Sequence, residues 1–484
     1  MQERIEELCL SRDYSVFVSI ENNGTHFAGE LFLTPAECTL VIRGDTHADR
    51  NMNLPYGKID KLVCKGFDGK FIALGLELQT SHRRALERGP LSIWHFENRY
   101  SVSSVVLTRG PSVANAFVHA IELESPSLAR WVGQTSVQDQ IVQMYAQGTL
   151  FPYGGFPLEE FSQTAGDLGT MQIVYSPGTH YSSEDFSMAL RFSPILRLTF
   201  ANLKNTNEAL HAFSQLETLF SLLTGQALDI QIIRLISAAG GRYHPSLYIP
   251  RGKILRAAGA YDFFPLAINL RAPRYRVSPA FPLNSINAYF ELSADDRRFF
   301  EKYLIYRRLG NPDERFLGFF RLLEKLCFQK DFFLDSEKLD ALIERAERVL
   351  VRMFGNKKDV VRFLKSLPRH NATKLNAASF IGSFLKTVPK ELLDTWIYSA
   401  SDMASISKTR NDLTHANQFE PEEHEMARKA KFIEALLVLR LLCKIEVPIE
   451  VGAEVMPRLE GHDLILRKAE PTIESRSVLG SSGV

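Results

Sequence analysis

The chain has 484 residues, of which 45% are hydrophobic and 23% charged, so it is an ordinary globular composition too long for one hydrophobic core, and two or three domains are expected. Its net charge of +1 excludes a protein that attracts nucleic acid over its whole surface, so any basic surface must be local. No apolar run approaches the roughly 20 residues of a membrane span, and the acidic Met1–Glu7 stretch lacks an apolar signal core, which together point to a cytoplasmic protein without membrane attachment. The five cysteines, Cys9, Cys38, Cys64, Cys327 and Cys443, are scattered without Cys-x-x-Cys or zinc-ligand spacing. They read as reduced, mostly buried thiols, and neither metal nor other cofactor is expected.

The first 125 or so residues predict strands. Tyr14–Ile20 leads through the hairpin signal Asn22-Asn23-Gly24 into His26–Leu33, and Cys38–Gly44, Ile59–Cys64, Phe71–Gln79 and Val102–Leu107 continue with alternating apolar and β-branched residues. Short strands at this spacing suggest a sandwich or a partly open barrel. From Phe151 to Leu270 the character is mixed. Asn205 or Thr206 can cap a helix running to about Leu223, with Gly225 as its stop and Leu210, Phe213, Leu216, Leu219, Phe220 and Leu223 on its buried face. Strands return at Asp229–Ile236 and Tyr243–Pro250. Residues 1–270 are therefore expected to form a β-rich, sandwich-like module with embedded helices, in one or two subdomains.

Residues 271–292, with Pro273, Pro279 and Pro282 among Arg271, Arg274 and Arg276, predict an inter-domain connection. Residues 293–452 then turn all-helical, giving an α+β multidomain chain. Asn311-Pro312-Asp313-Glu314 is a helix start. The spacing of Leu339, Leu342, Ile343, Ala346, Leu350 and Met353 predicts a helix over Ser336–Phe354, stopped by Gly355. Pro389 opens another helix, a further one leads into Arg410, and the last long one covers about Pro421 to Ile445. Residues 453–484 are expected to be a tail.

The segment Ser407-Lys408-Thr409-Arg410-Asn411-Asp412-Leu413-Thr414-His415 carries the chemistry. Arg410 offers a permanent cation whose planar fork suits phosphate, and His415 can move a proton near neutral pH. Together they could cleave RNA without a metal, using the 2′-hydroxyl as internal nucleophile. The bland alternative is a cation favoured by the helix dipole beside a solvated histidine. Asn411 could orient His415 or bond a phosphate oxygen, or simply bond backbone near the helix end. Glu324 is a candidate to orient Arg410, although pairing with Arg321 or Lys325 on its own helix is the simpler expectation.

Between Val351 and Lys374 the residues Arg352, Lys357, Lys358, Arg362, Lys365, Arg369 and Lys374 face a single acid, Asp359, a local net charge of +6. This stretch, with Lys408, is the candidate RNA-backbone surface, against the reading of a merely solvated face. A second basic stretch, Arg297, Arg298, Lys302, Arg307 and Arg308, interleaves Phe299, Phe300, Tyr303 and Tyr306. These aromatics either stack bases or form the buried side of an amphipathic helix.

The wording Arg410-Asn411-x-Leu413-x-His415, after one helix and before another, resembles the signature of the HEPN ribonuclease superfamily. With Leu219-Phe220-Ser221-Leu222-Leu223-Thr224-Gly225-Gln226 upstream, the chain resembles the ApeA-like branch, anti-phage proteins with a large N-terminal domain and a C-terminal HEPN domain. The resemblance implies a helical HEPN bundle, a homodimer in which the Arg–His pairs of two copies face one cleft, and RNA as substrate. It also implies abortive infection as the role, which a structured RNA such as tRNA would suit, with the N-terminal domain restraining the nuclease or sensing a phage-derived trigger. The rival expectation is a non-catalytic HEPN-like bundle that binds RNA or protein. A carbohydrate- or peptide-binding sensor in the N-terminal module is compatible with either and would need an exposed aromatic there.

Overall fold

The computed structural model describes residues 4–22, 25–47, 57–85, 93–109, 117–149, 158–181, 188–237, 244–252, 262–266, 280–328, 331–371, 376–414 and 422–467. A β-rich N-terminal region is followed by an all-helical C-terminal one, and the chain divides into two compact units, Met1–Arg297 and Arg298–Val484.

The first unit begins with six antiparallel strands: β1 (Tyr14–Asn22), β2 (Thr25–Leu33), β3 (Cys38–His47), β4 (Lys58–Gly66), β5 (Lys70–Ala85) and β6 (Ile93–Thr108). They run in the order β3-β2-β1-β4-β5-β6, and β3 also pairs with β6 from Cys38↔Val102 to His47↔Ile93. The strands thus close into a ring, which removes the free edges that open sheets must protect. Of the sandwich and the partly open barrel, the first half of this region is nearer the barrel. Alternation in β2 turns Phe27, Gly29, Leu31 and Leu33 inward.

The 16 residues of β6 reach past the ring into a second set of strands. These are β7 (Val118–Glu124), β8 (Leu158–Thr164), β9 (Gly169–Tyr175), the separate hairpin β10 (Gly178–Tyr181) with β11 (Met188–Arg191), then β12 (Pro194–Lys204), β13 (Ile232–Ser237) and β14 (Ser246–Tyr248). From β6 the sheet continues as β14-β13-β7-β12-β9-β8. Helices α1 (Pro126–Val132), α2 (Ser136–Ala146), α3 (Thr206–Thr224) and α4 (Asn284–Glu291) belong to the same unit. The reciprocal box of Asn205 and Glu208 starts α3 and left-handed Gly225 ends it, as the cap residues require. Its apolar face packs on β7, β12 and α1, where buried Trp131 donates from Nε1 to the Phe264 carbonyl at 2.7 Å. Part of the expected connection is therefore structured. In α4 Asn287 accepts from the Gly166 N–H and Tyr289 donates to the Gln215 carbonyl.

The second unit contains α5 (Ala294–Arg307, its first residues in unit one), α6 (Pro312–Cys327), α7 (Ser336–Phe354), α8 (Lys357–Asn371), α9 (Ala377–Leu385), α10 (Lys390–Leu393), α11 (Met403–Thr414), α12 (Glu423–Lys444) and α13 (Ile449–Val455). From Phe432 to Leu442 α12 is buried on almost every side except Arg440, the pattern of a central core helix. It lies along α6, and α9 touches both α6 and α11. Gly318 lets α5 approach α6, since a Cβ there would come within 2.5 Å of the Tyr306 ring. Beyond residue 453, Met456, Leu459 and Ile465 are buried, and Trp396 donates from Nε1 to His462 at 2.9 Å. Only 468–484 of the expected tail lie outside the described residues. Among the described residues no helix is long and apolar enough to cross a membrane.

Candidate active site

Arg410 stands near the C-terminal end of α11, whose Met403, Ile406 and Thr409 are buried. Two neighbouring helices fix this end. From α12, the buried Lys429 ammonium donates to Thr409 Oγ1 at 3.0 Å and pairs with Glu425 at 2.6 Å. From α6, Glu324 accepts from Arg410 Nη2 at 3.2 Å, and the Phe320 ring lies under the guanidinium at 5.8 Å. Phe320 and Glu324 are one helical turn apart, so both reach the same side of α6.

Asn411 completes the grip, accepting from Arg410 Nη1 at 2.9 Å. Its side-chain oxygen therefore bonds the guanidinium, where a backbone bond near the helix end was as open an expectation as a bond to His415 or phosphate. Glu324 likewise reaches across to Arg410, because α6 packs on α11, where pairing within its own helix had been the simpler expectation. The Arg410 side chain is 28% exposed, and the two bonds account for one hydrogen on each terminal nitrogen. One more on each has no partner among the described residues and could donate to an oxyanion. His415 follows directly on Thr414, whose hydroxyl donates to the Arg410 carbonyl at 2.7 Å. His415 itself lies outside the described residues.

The candidate RNA surface falls on α8. Lys357, Lys358, Arg362, Lys365 and Arg369 are all exposed there, while Val360 and Leu364 are buried. At about 100° per residue, Lys358, Arg362, Lys365 and Arg369 share one stripe within roughly 60° of arc, and the buried pair points elsewhere. Lys374 lies outside the described residues, and Lys408 is exposed on α11.

The other basic stretch resolves in favour of a buried helix face. On α5, Phe300 and Tyr303 are fully buried, Tyr303 donates to Glu434 at 3.1 Å, and Arg307 pairs with Glu460 at 2.9 Å. Burial, with Glu434 beside it, raises the Tyr303 phenol above its ordinary range. These groups hold the core and are not available to stack bases. Among the described residues no three His, Cys, Asp or Glu side chains gather as a metal site.

In the first unit a cleft of about 1000 Å³ opens beside the start of α3. Ile72, Val106 and Phe117 give it an apolar floor, and Lys61, Lys204 and His211 stand at its rim. Phe117 is 58% exposed there, and Phe17 and Phe67 of the same module are exposed as well. No pattern of spacing marked this cleft in the sequence, since its lining comes from six separate segments.

A family model described as "ApeA N-terminal domain 1" matches residues 13–291. Neither the curated proteins nor the solved structures yield a match.

Proposed function

Since the chain belongs to the ApeA family of anti-phage proteins, we propose that it is a metal-independent endoribonuclease of the HEPN type, with Arg410 and His415 as its catalytic pair. The observation that carries the reading is the hold on Arg410. Glu324, Asn411 and Phe320 fix a partly exposed guanidinium near the helix end, five residues before His415. Such pre-positioning is what electrostatic stabilisation of a phosphorane-like transition state requires.

In this mechanism the His415 imidazole takes the proton of an RNA 2′-hydroxyl, and that oxygen attacks the adjacent phosphorus. Charge grows on the non-bridging oxygens and the Arg410 guanidinium neutralises it. The bond to the 5′-oxygen breaks, and the proton is returned to that oxygen by the same imidazole or by its counterpart across a homodimer cleft. The products carry a 2′,3′-cyclic phosphate and a 5′-hydroxyl. The α8 stripe holds the RNA backbone, a structured RNA such as tRNA suits the role, and the cleft beside α3 is where a phage-derived trigger would be received.

The Glu324–Arg410 pair is also what a non-catalytic binding bundle would use for stability alone. Phage challenge of cells carrying wild type, Arg410→Ala or His415→Ala separates the two. The nuclease reading expects reduced plaque formation and growth arrest with wild type only. Equal protection by all three proteins would favour the binding bundle and overturn the catalytic assignment.

A further inference from the structure

The hairpin of α7 and α8 carries an apolar face that nothing among the described residues covers. The two helices are joined by Gly355 and Asn356 alone and pack chiefly on each other. On α7 Leu339 is buried, and Ile343, Ala346 and Leu350 are half-buried toward α8. Leu342, Val349 and Met353 are not: they are 60%, 57% and 71% exposed. At about 100° per residue these three fall within roughly 40° of arc, beside the face that meets α8. Phe363 of α8, 59% exposed, is rotated from its own buried face by a similar angle in the same sense. In an antiparallel pair equal rotations of that sense point to one side of the hairpin, so the four side chains share a face. The α8 basic stripe points away from it.

The pattern of this face says what it fits. Leu339, Leu342, Ala346, Val349 and Met353 are spaced by three, four, three and four residues, the interval of a coiled-coil seam. The exposed part is a narrow stripe three turns long, not the broad apolar sector of a helix lying in lipid. Along its outer flank stand Lys338, Arg345 and Arg352, each exposed, at the same heptad position. A second copy laid antiparallel on this seam would set Arg345 against its own equivalent and Lys338 against Arg352, an arrangement of like charges that helix pairing disfavours. On the α8 side the flank includes the acid Asp359, which opposes an anionic membrane surface.

We infer that this face of the α7–α8 hairpin docks an amphipathic helix of another protein, one whose apolar seam is bordered by Asp or Glu where it meets Lys338, Arg345 and Arg352. The inference does not depend on nuclease activity.

The probe is a labelled helical peptide of about three heptads with Leu at the seam and Glu at the flanks, compared by fluorescence anisotropy with a copy bearing Lys at the flanks. The full-length protein should bind the Glu-flanked peptide at least ten times more tightly than the Lys-flanked one. Arg345→Glu with Arg352→Glu should reverse that preference, and Val349→Lys, at an exposed position that leaves the circular dichroism unchanged, should abolish both interactions. No binding, binding without preference, or binding that survives Val349→Lys would overturn the inference. So would a wild-type dimer made monomeric by Val349→Lys in light scattering, which would give the face to a second copy. Val349-dependent binding to phosphatidylserine vesicles would give it to a membrane.

Discussion

Lys429 is the most informative place to perturb the helix that carries Arg410. Its side chain is buried on α12, and among the described residues its ammonium meets Thr409 Oγ1 and Glu425. Removing one partner of a buried ion pair costs about 3–5 kcal/mol when the other charge is left without compensation. Here Glu425 is half exposed, and water screening reduces the expected cost of Glu425→Ala to about 2 kcal/mol. Lys429→Met removes the charge while keeping the length of the stem. Thr409 then still donates to the Ser405 carbonyl at 3.2 Å and Glu425 returns to water, so the cost should stay within about 1 kcal/mol. Amide hydrogen exchange in the Met403–Thr414 segment reads this directly. At about 1.4 kcal/mol per tenfold, Glu425→Ala should speed exchange roughly thirtyfold and Lys429→Met no more than about fivefold. A larger effect from Lys429→Met would refute the reasoning, because it would mean that the ammonium itself is a net source of stability.

Burial lowers the His462 pKa to about 4, with the Trp396 indole donating to the neutral ring. The unfolded chain, protonating near 6.5, then binds the proton more readily than the folded one. Stability is full above about pH 6.5 and falls as the pH drops toward 4, by up to about 3 kcal/mol, and urea midpoints should show this slope in wild type and lose it in His462→Gln. Gly318→Ala must push a Cβ into the Tyr306 ring and should cost about 1–3 kcal/mol, seen as a lower melting temperature, whereas an unchanged one would contradict the close approach. Replacing Lys358, Arg362, Lys365 and Arg369 by Gln should reduce the salt slope of RNA binding by about 3, at roughly 0.7 per phosphate contact on a single strand. An unchanged slope would remove α8 from the interface.

Local signals made much of this fold legible. Asn205 and Gly225 bound α3, Ser336 and Gly355 bound α7, and the early strands stand where alternation put them. What escaped depends on partners far away in sequence. Nothing in Cys38–His47 says that it will pair with Ile93–Val102, so the closing of the ring was invisible. Helix α1 carried its own signals, the Ser125 cap and Pro126, but at seven residues it is too short to show a helical period. Pro368 inside α8 argued against a helix that forms despite it. At the candidate site the helix leading into Arg410 was readable. Its grip was not, because Glu324 is 86 residues away and pairing with Arg321 or Lys325 on its own helix was the simpler expectation, since nothing in the sequence says that α6 packs on α11. His415 and Lys374 fall outside the described residues, so their share of the site stands on the sequence.

The central claim is tested most directly by incubating purified wild type, Arg410→Ala and His415→Ala with total tRNA in the presence of EDTA and analysing the ends of any fragments. The account predicts cleavage by wild type alone, leaving 2′,3′-cyclic phosphate and 5′-hydroxyl ends. Equal cleavage by all three proteins, or fragments ending in 3′-hydroxyl and 5′-phosphate, would contradict it.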